Sequence, residues 1–146
     1  MKTIRTWVYA LLKYQDQLVV IRKWRWPFTG LYDMPGGWTD HWEWNYEALQ
    51  REIQEEVWLK QDEFKIEELL TVVEDFVQHE WEWEHKDEHL IGIIYKANIT
   101  KQDFDLSYIE NGWDANGLML MKLDDVDLPK TNMLVKALEK YKTISI

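Results

Sequence analysis

Cysteine is absent from this sequence, and glycine and proline are scarce, at six and three among 146 residues. Disulfides and thiolate chemistry are therefore excluded, and the fold has to rest on a hydrophobic core. Apolar residues make up 46% of the chain, enough for such a core, and the length fits one domain. Long hydrophobic runs are missing too. None approaches the roughly eighteen residues of a helical membrane span, and no membrane contact is expected. The start, Met1-Lys2-Thr3-Ile4-Arg5-Thr6, has neither the apolar run nor the small-residue cleavage site of a secretory signal, so a cytoplasmic protein is expected. Basic residues are in the minority, 17 Lys and Arg against 27 Asp and Glu, for a formal charge of −10. That balance argues against the clustered cations that hold nucleic-acid phosphates, and no stable nucleic-acid complex is expected. What is plentiful is tryptophan: ten residues, more than the glycines.

Along the chain, Trp7 to Leu12 and Gln17 to Ile21 are apolar, β-branched or aromatic runs separated by Lys13-Tyr14-Gln15-Asp16, the pattern of a β-hairpin. Pro27, Gly30, Pro35, Gly36 and Gly37 punctuate a loop-rich region with a short extended piece around Leu31 to Met34. Tyr46, Leu49, Ile53 and Val57 then recur at spacings of three and four, which predicts a helix over roughly Tyr46 to Val57 with Asn45 as its N-cap. Ile66 to Val77 and His89 to Ile99 read as strands joined by an acidic, tryptophan-bearing link from His79 to Glu88. Gly117 to Leu123 reads as a further strand. Thr131 to Tyr141 reads as a closing helix with Leu134, Val135 and Leu138 on one side. Strands and helices mix without strict βαβ alternation, so the class is α+β or a mixed-sheet sandwich, with no repeat and no second domain.

The chemistry concentrates on the first helix. Glu52, Glu55 and Glu56 stand at i, i+3 and i+4, which puts three carboxylates on one side of the helix beside its apolar stripe. Like charges so placed cost about 0.2–0.5 kcal/mol per pair in an isolated helix, and a divalent cation turns that repulsion into attraction. Mg²⁺ takes oxygen ligands and is usually shared between a few carboxylates, waters and substrate phosphates. Arg51 lies four residues from both Glu47 and Glu55, placed to orient the carboxylates rather than to bind substrate. The bland alternative is a solvated acidic face.

The wider segment decides against that alternative. Gly37 to Leu59 resembles the Nudix box, GX₅EX₇REUXEEXGU with U aliphatic: Gly37, Glu43, Arg51, Glu52, Ile53, Glu55, Glu56 and Leu59 fall in register, and only Trp58 departs, standing where the family has Gly. Six exact identities at background frequencies near 7% arise by chance on the order of once in ten million windows. The resemblance implies an α+β fold, a Nudix-like α/β/α sandwich with a mixed sheet forming one domain over residues 1–146. It also implies a hydrolase that cleaves a diphosphate bond in a nucleoside diphosphate derivative or a (d)NTP, house-cleaning of damaged nucleotides being one case. Mg²⁺, or Mn²⁺ in its place, is the implied cofactor, with Glu52, Glu55 and Glu56 as ligands and the Gly37 carbonyl as a further candidate. Glu43 is implied to brace the loop or lie in the outer shell. A nucleotide-like small molecule is the implied partner, and a homodimer is compatible with the sequence. The competing expectation is a Nudix-like nucleotide-binding module whose catalysis Trp58 and its neighbours have impaired.

The general base varies within the family; a box glutamate, Glu110, Asp114 and Glu88 all stand as candidates, each of them also an ordinary surface acid. Lys23-Trp24-Arg25-Trp26 interleaves cations with aromatics, so Arg22, Lys23 and Arg25 are candidate substrate contacts, with solvated cations and sheet-packed indoles as the alternative. The four histidines show no ligand spacing. Trp38, Trp42 and Trp58, with Trp24, Trp26 and Trp113, fall in loop-like contexts that usually want small residues. Several look like replacements for Gly in a more ordinary parent sequence.

Overall fold

The run Val8-Tyr9-Ala10-Leu11-Leu12 is apolar at every position, as a strand is when both its faces are covered. In the computed structural model, which describes residues 2–24, 28–40, 42–81, 84–106 and 117–144, this run is the buried centre of β1 (Lys2–Tyr14). The hairpin partner is β2 (Gln17–Arg22), followed by β3 (Tyr32–Asp33), β4 (Gly36–Trp38), the helix α1 (Asn45–Val57), β5 (Phe64–Trp81), β6 (Glu84–Ile99), β7 (Leu118–Lys122) and the helix α2 (Asn132–Ile144).

Among the described residues the strands form one mixed sheet in the order β3-β2-β1-β6-β5, with β4 added to β1 and β7 to β2. One edge of β1 is taken throughout by β6, in parallel. Its other edge is shared: β4 pairs with Trp7 to Tyr9, and β2 pairs only at Lys13 and Tyr14. The sheet therefore splits where β4 enters, and the segment leading into α1 starts from that split.

Alternation along β1 separates two cores. Val8, Ala10 and Leu12 face Leu49, Ile53 and Val57 of α1, while Tyr9 and Leu11 join Leu134 and Leu138 of α2. A helix on each face of a mixed sheet is the sandwich that the sequence implies.

Several details differ from expectation. The N-cap of α1 is Trp44, extended and without a side-chain cap bond, instead of Asn45. Leu49, Ile53 and Val57 are buried as the stripe requires, while Tyr46 in the first turn is exposed and Ala48 is buried beside Leu49. In α2, Val135 turns outward and Met133 and Ala137 go in. The expected link from His79 to Glu88 is strand on both sides, with His79 opposite Lys86 and Glu80 opposite His85. Glu80 opposite His85 sets an acid against a titratable base, a cross-strand pair that polar strands accommodate.

Candidate metal and diphosphate site

Gly36 and Gly37 make the site possible by lacking side chains. A Cβ on Gly36, whose φ is +152°, would lie 2.0 Å from the Val8 carbonyl oxygen, and a Cβ on Gly37 would lie 2.7 Å from Glu52 Oε1. The first absence lets β4 press against β1; the second lets the Glu52 carboxylate reach the backbone of the strand. From one turn further along α1, Glu56 Oε1 accepts a 2.9 Å hydrogen bond from the Gly36 N–H. Two box glutamates and a two-glycine strand are thereby brought together at the split in the sheet.

Arg51 organises the surrounding charge. Its Nε and Nη2 donate to the two oxygens of Glu43 at 2.9 and 3.0 Å, a bidentate pair. Nη1 donates to Glu52 Oε1 at 2.9 Å and to Glu55 Oε2 at 3.3 Å, and Nη2 reaches the Trp38 carbonyl at 3.3 Å. Glu43 also accepts from the Asp40 N–H. The Arg51 hydrogen bonds hold the Glu43 carboxyl below its ordinary range, with the Asp40 N–H adding to the effect.

Glu56 behaves in the opposite way. Burial pushes its carboxyl up to about 7, the neighbouring Glu52 adds to the rise, and the positive charge of Lys23 and the Gly36 N–H oppose it. Beside a second carboxylate, Glu56 in this buried corner favours its protonated form unless a cation takes the proton's place. An all-oxygen donor set of Glu52, Glu56 and nearby backbone carbonyls fits a hard divalent ion. Glu55 stands apart: its side chain is 59% exposed and turned toward Arg51. Among the described residues no three acidic or imidazole groups stand together as a ready cage, so Glu52 and Glu56 are the nucleus of the site.

The outer candidates divide. Lys23 is held by backbone bonds to Leu31 and Gly30 and acts electrostatically on both Glu56 and Asp33. Arg22 is anchored through its N–H to the Gly117 carbonyl, and its guanidinium lies 4.9 Å from the Trp24 ring. Glu88 pairs with Arg5 at 2.9 Å and sits opposite Thr3 in the parallel register, six residues, or about 20 Å of strand, from Tyr9 beside Gly36. The structure does not bring it to the carboxylate pair. Arg25, Glu110, Asp114, Trp26 and Trp113 lie outside the described residues.

Sequence reasoning missed a buried polar group behind the site. Asp33 accepts from the Met34 N–H at 2.8 Å and from the Thr131 hydroxyl at 2.9 Å, with Tyr9 as a further partner. Thr131 Oγ1 in turn accepts from the Leu134 N–H and caps α2. Burial raises the Asp33 carboxyl above its usual range. The legible signal was Thr131 itself, an N-cap residue just before the apolar run of α2.

Trp58 ends α1 with φ +63° and ψ +30°, the left-handed conformation, and is 74% exposed. Trp42 is likewise left-handed, at φ +69°.

Comparison with known proteins agrees with this architecture. The family model described as NUDIX domain matches residues 1–138. No curated protein matches in sequence. Among solved structures, a MutT protein from Methanosarcina mazei Go1 is similar at a TM-score of 0.66 and 20% identity, covering 99% of this chain and 96% of its own. A MutT NUDIX hydrolase from Burkholderia pseudomallei is similar at 0.62 and 23%, covering 94% and 97%. An Ap4A hydrolase from C. elegans is similar at 0.62 and 15%, covering 98% and 99%.

Proposed function

This chain belongs to the Nudix family and is a Nudix-type pyrophosphohydrolase; on that premise we propose that it hydrolyses, with Mg²⁺, a diphosphate bond in a nucleoside diphosphate derivative or a (d)NTP. The observation that carries the reading is the buried Glu56 beside Glu52, each in contact with the two-glycine strand. Glu52 and Glu56 would hold the ion, with the Gly37 carbonyl and Glu55 completing its protein ligands. Once bound, Mg²⁺ supplies an activated water and neutralises charge on the diphosphate oxygens.

The chain's own groups do the rest. Arg51, fixed by Glu43, fixes Glu52 in turn and keeps the cluster from splaying under its own repulsion. Lys23 would meet a phosphate oxygen, a role supported by the action of its charge on Glu56. Water adds to one phosphorus, the bridging P–O bond breaks, and two phosphate-ended fragments leave. The nucleotide pool of the cytoplasm is the setting this reading implies.

The test is a panel of ADP-ribose, dinucleoside polyphosphates, nucleotide sugars and oxidised dNTPs, assayed for phosphate-ended products with Mg²⁺ and with chelator. Turnover of at least one class that vanishes without the metal supports the reading. Tight nucleotide binding without turnover would instead fit a binding module.

A further inference from the structure

We propose that Trp7 and Trp38 form a corner that receives the nucleobase of the diphosphate substrate, a ligand class that rests on the function proposed above. Trp38 follows Gly37 directly and its carbonyl is bound by Arg51, while strand alternation turns its indole to the sheet face opposite the Gly37–Glu52 contact, where it meets Trp7. It pairs across β4 and β1 with Trp7. The two ring centroids are 5.4 Å apart and the planes meet at 70°. A flat ring lying on one indole therefore presents its edge to the other, an arrangement that aromatic quadrupoles favour.

Three observations mark this corner as more than packing. Trp38 is 46% exposed although it stands in a strand against a large aromatic neighbour. Arg5 is spent on holding it, with the guanidinium carbon 3.9 Å from the ring centroid and Nε 2.9 Å from Glu88, close enough for an ion pair but not aligned as a hydrogen bond. The Trp7 Nε1–H is buried and has no hydrogen-bond partner among the described residues. Buried indole N–H groups normally find an acceptor, and the ring nitrogens and carbonyls of a base are acceptors.

The spacing suits a nucleotide. Gly36, bound to Glu56, pairs with Tyr9, and Trp38 pairs with Trp7, so the backbone of the corner lies two residues of strand, about 7 Å, from the strand position that Glu56 binds. That is the reach of one ribose from a phosphate to its base. Lys23 Nζ lies 5.8 Å from the Trp7 ring, and its charge acts on Glu56 as well.

Titration calorimetry in Mg²⁺ with non-hydrolysable probes tests the corner: the α,β-methylene analogues of ADP, GDP and UDP, against methylenediphosphonate, which has the bridged phosphates and no base. The parent should bind the nucleotide probes at least about tenfold more tightly than methylenediphosphonate, as base stacking on an aromatic gives. Trp38→Leu should lose about that factor for the nucleotides and stay within about twofold for methylenediphosphonate. Trp7→Phe, which keeps a ring and loses the N–H, should show a smaller loss confined to the nucleotides. Equal affinity of the parent for both kinds of probe overturns the corner and leaves the metal reading standing. So does an equal loss of both probes in well-folded Trp38→Leu. Nucleotide binding that depends on Trp38 but not on Mg²⁺, with no methylenediphosphonate binding, keeps the corner and overturns the metal reading.

Discussion

Replacing Trp58 with glycine should stabilise the protein, and the structure sets the size of the gain. Trp58 closes α1 at φ +63° while its side chain is 74% exposed. A residue with a Cβ costs about 1–2 kcal/mol in that conformation, and truncating an exposed indole removes little buried area. Glycine gives back about 0.4–1 kcal/mol through the greater freedom of its unfolded chain. The net gain is about 1 kcal/mol, or a rise in Tm of about 3 °C for a chain of this length. Trp58→Ala serves as the control, because it removes the indole but keeps the Cβ and so should bring no comparable gain. Relaxing the turn after α1 should also let Glu55 and Glu56 settle about a cation, and turnover should rise with stability. Chemical denaturation of all three proteins with Mg²⁺ turnover measured alongside is the assay. A glycine variant no more stable than the parent, or an alanine variant that gains as much, would refute the argument from backbone conformation.

Other consequences can be checked on the same preparations. Mg²⁺ at a hundred times its Kd should add about 2.7 kcal/mol of stability at neutral pH, seen as a rise in Tm that shrinks as acid protonates the carboxylates; a Tm indifferent to the ion in metal-free protein would contradict a preformed site. Without metal, stability should fall as pH rises from about 4.5 to about 7. The folded state holds a proton on Glu56 in that window, its carboxyl being pushed up to about 7, which the unfolded chain has already released. The fall is at most about 3 kcal/mol, and urea midpoints across that range would reveal it; a flat profile would show that Glu56 is not desolvated. Lys23→Gln should raise KM for the diphosphate substrate about tenfold or more with a smaller effect on kcat, as loss of a charge-assisted contact does. Unchanged KM would remove Lys23 from the substrate.

The parts of this fold legible in the sequence are those where one local pattern decides. Period-two and continuous apolar runs located the strands, and the three-and-four spacing of Tyr46, Leu49, Ile53 and Val57 located α1 within a residue. The box register singled out Glu52, Glu56 and Gly37, which the structure places in contact. What stayed hidden depends on partners far along the chain. Asp33 is buried because Thr131, ninety-eight residues later, is there to bond it. Trp7 reads as one more strand residue until β4 sets Trp38 beside it. Glu55 shares its helix face with Glu52 in sequence, yet Arg51 draws it outward. The excess of tryptophan was legible as misplaced: Trp42 and Trp58 are two of the three non-glycine residues with left-handed backbone among the described residues. Trp38 is extended, so there the glycine argument does not apply.

The most direct test of the central claim is Mg²⁺-dependent hydrolysis by Glu56→Gln alongside Glu52→Gln and the parent. Glutamine keeps an acceptor for the Gly36 N–H and removes the charge, so the fold should persist and metal-free stability above pH 7 should hold or rise. Turnover of the best substrate in the panel should fall by orders of magnitude in both variants, and the Mg²⁺-induced rise in Tm should fade with it. A folded Glu56→Gln enzyme that hydrolyses its substrate at the parent's rate, with an unchanged requirement for Mg²⁺, would contradict the assignment of the site.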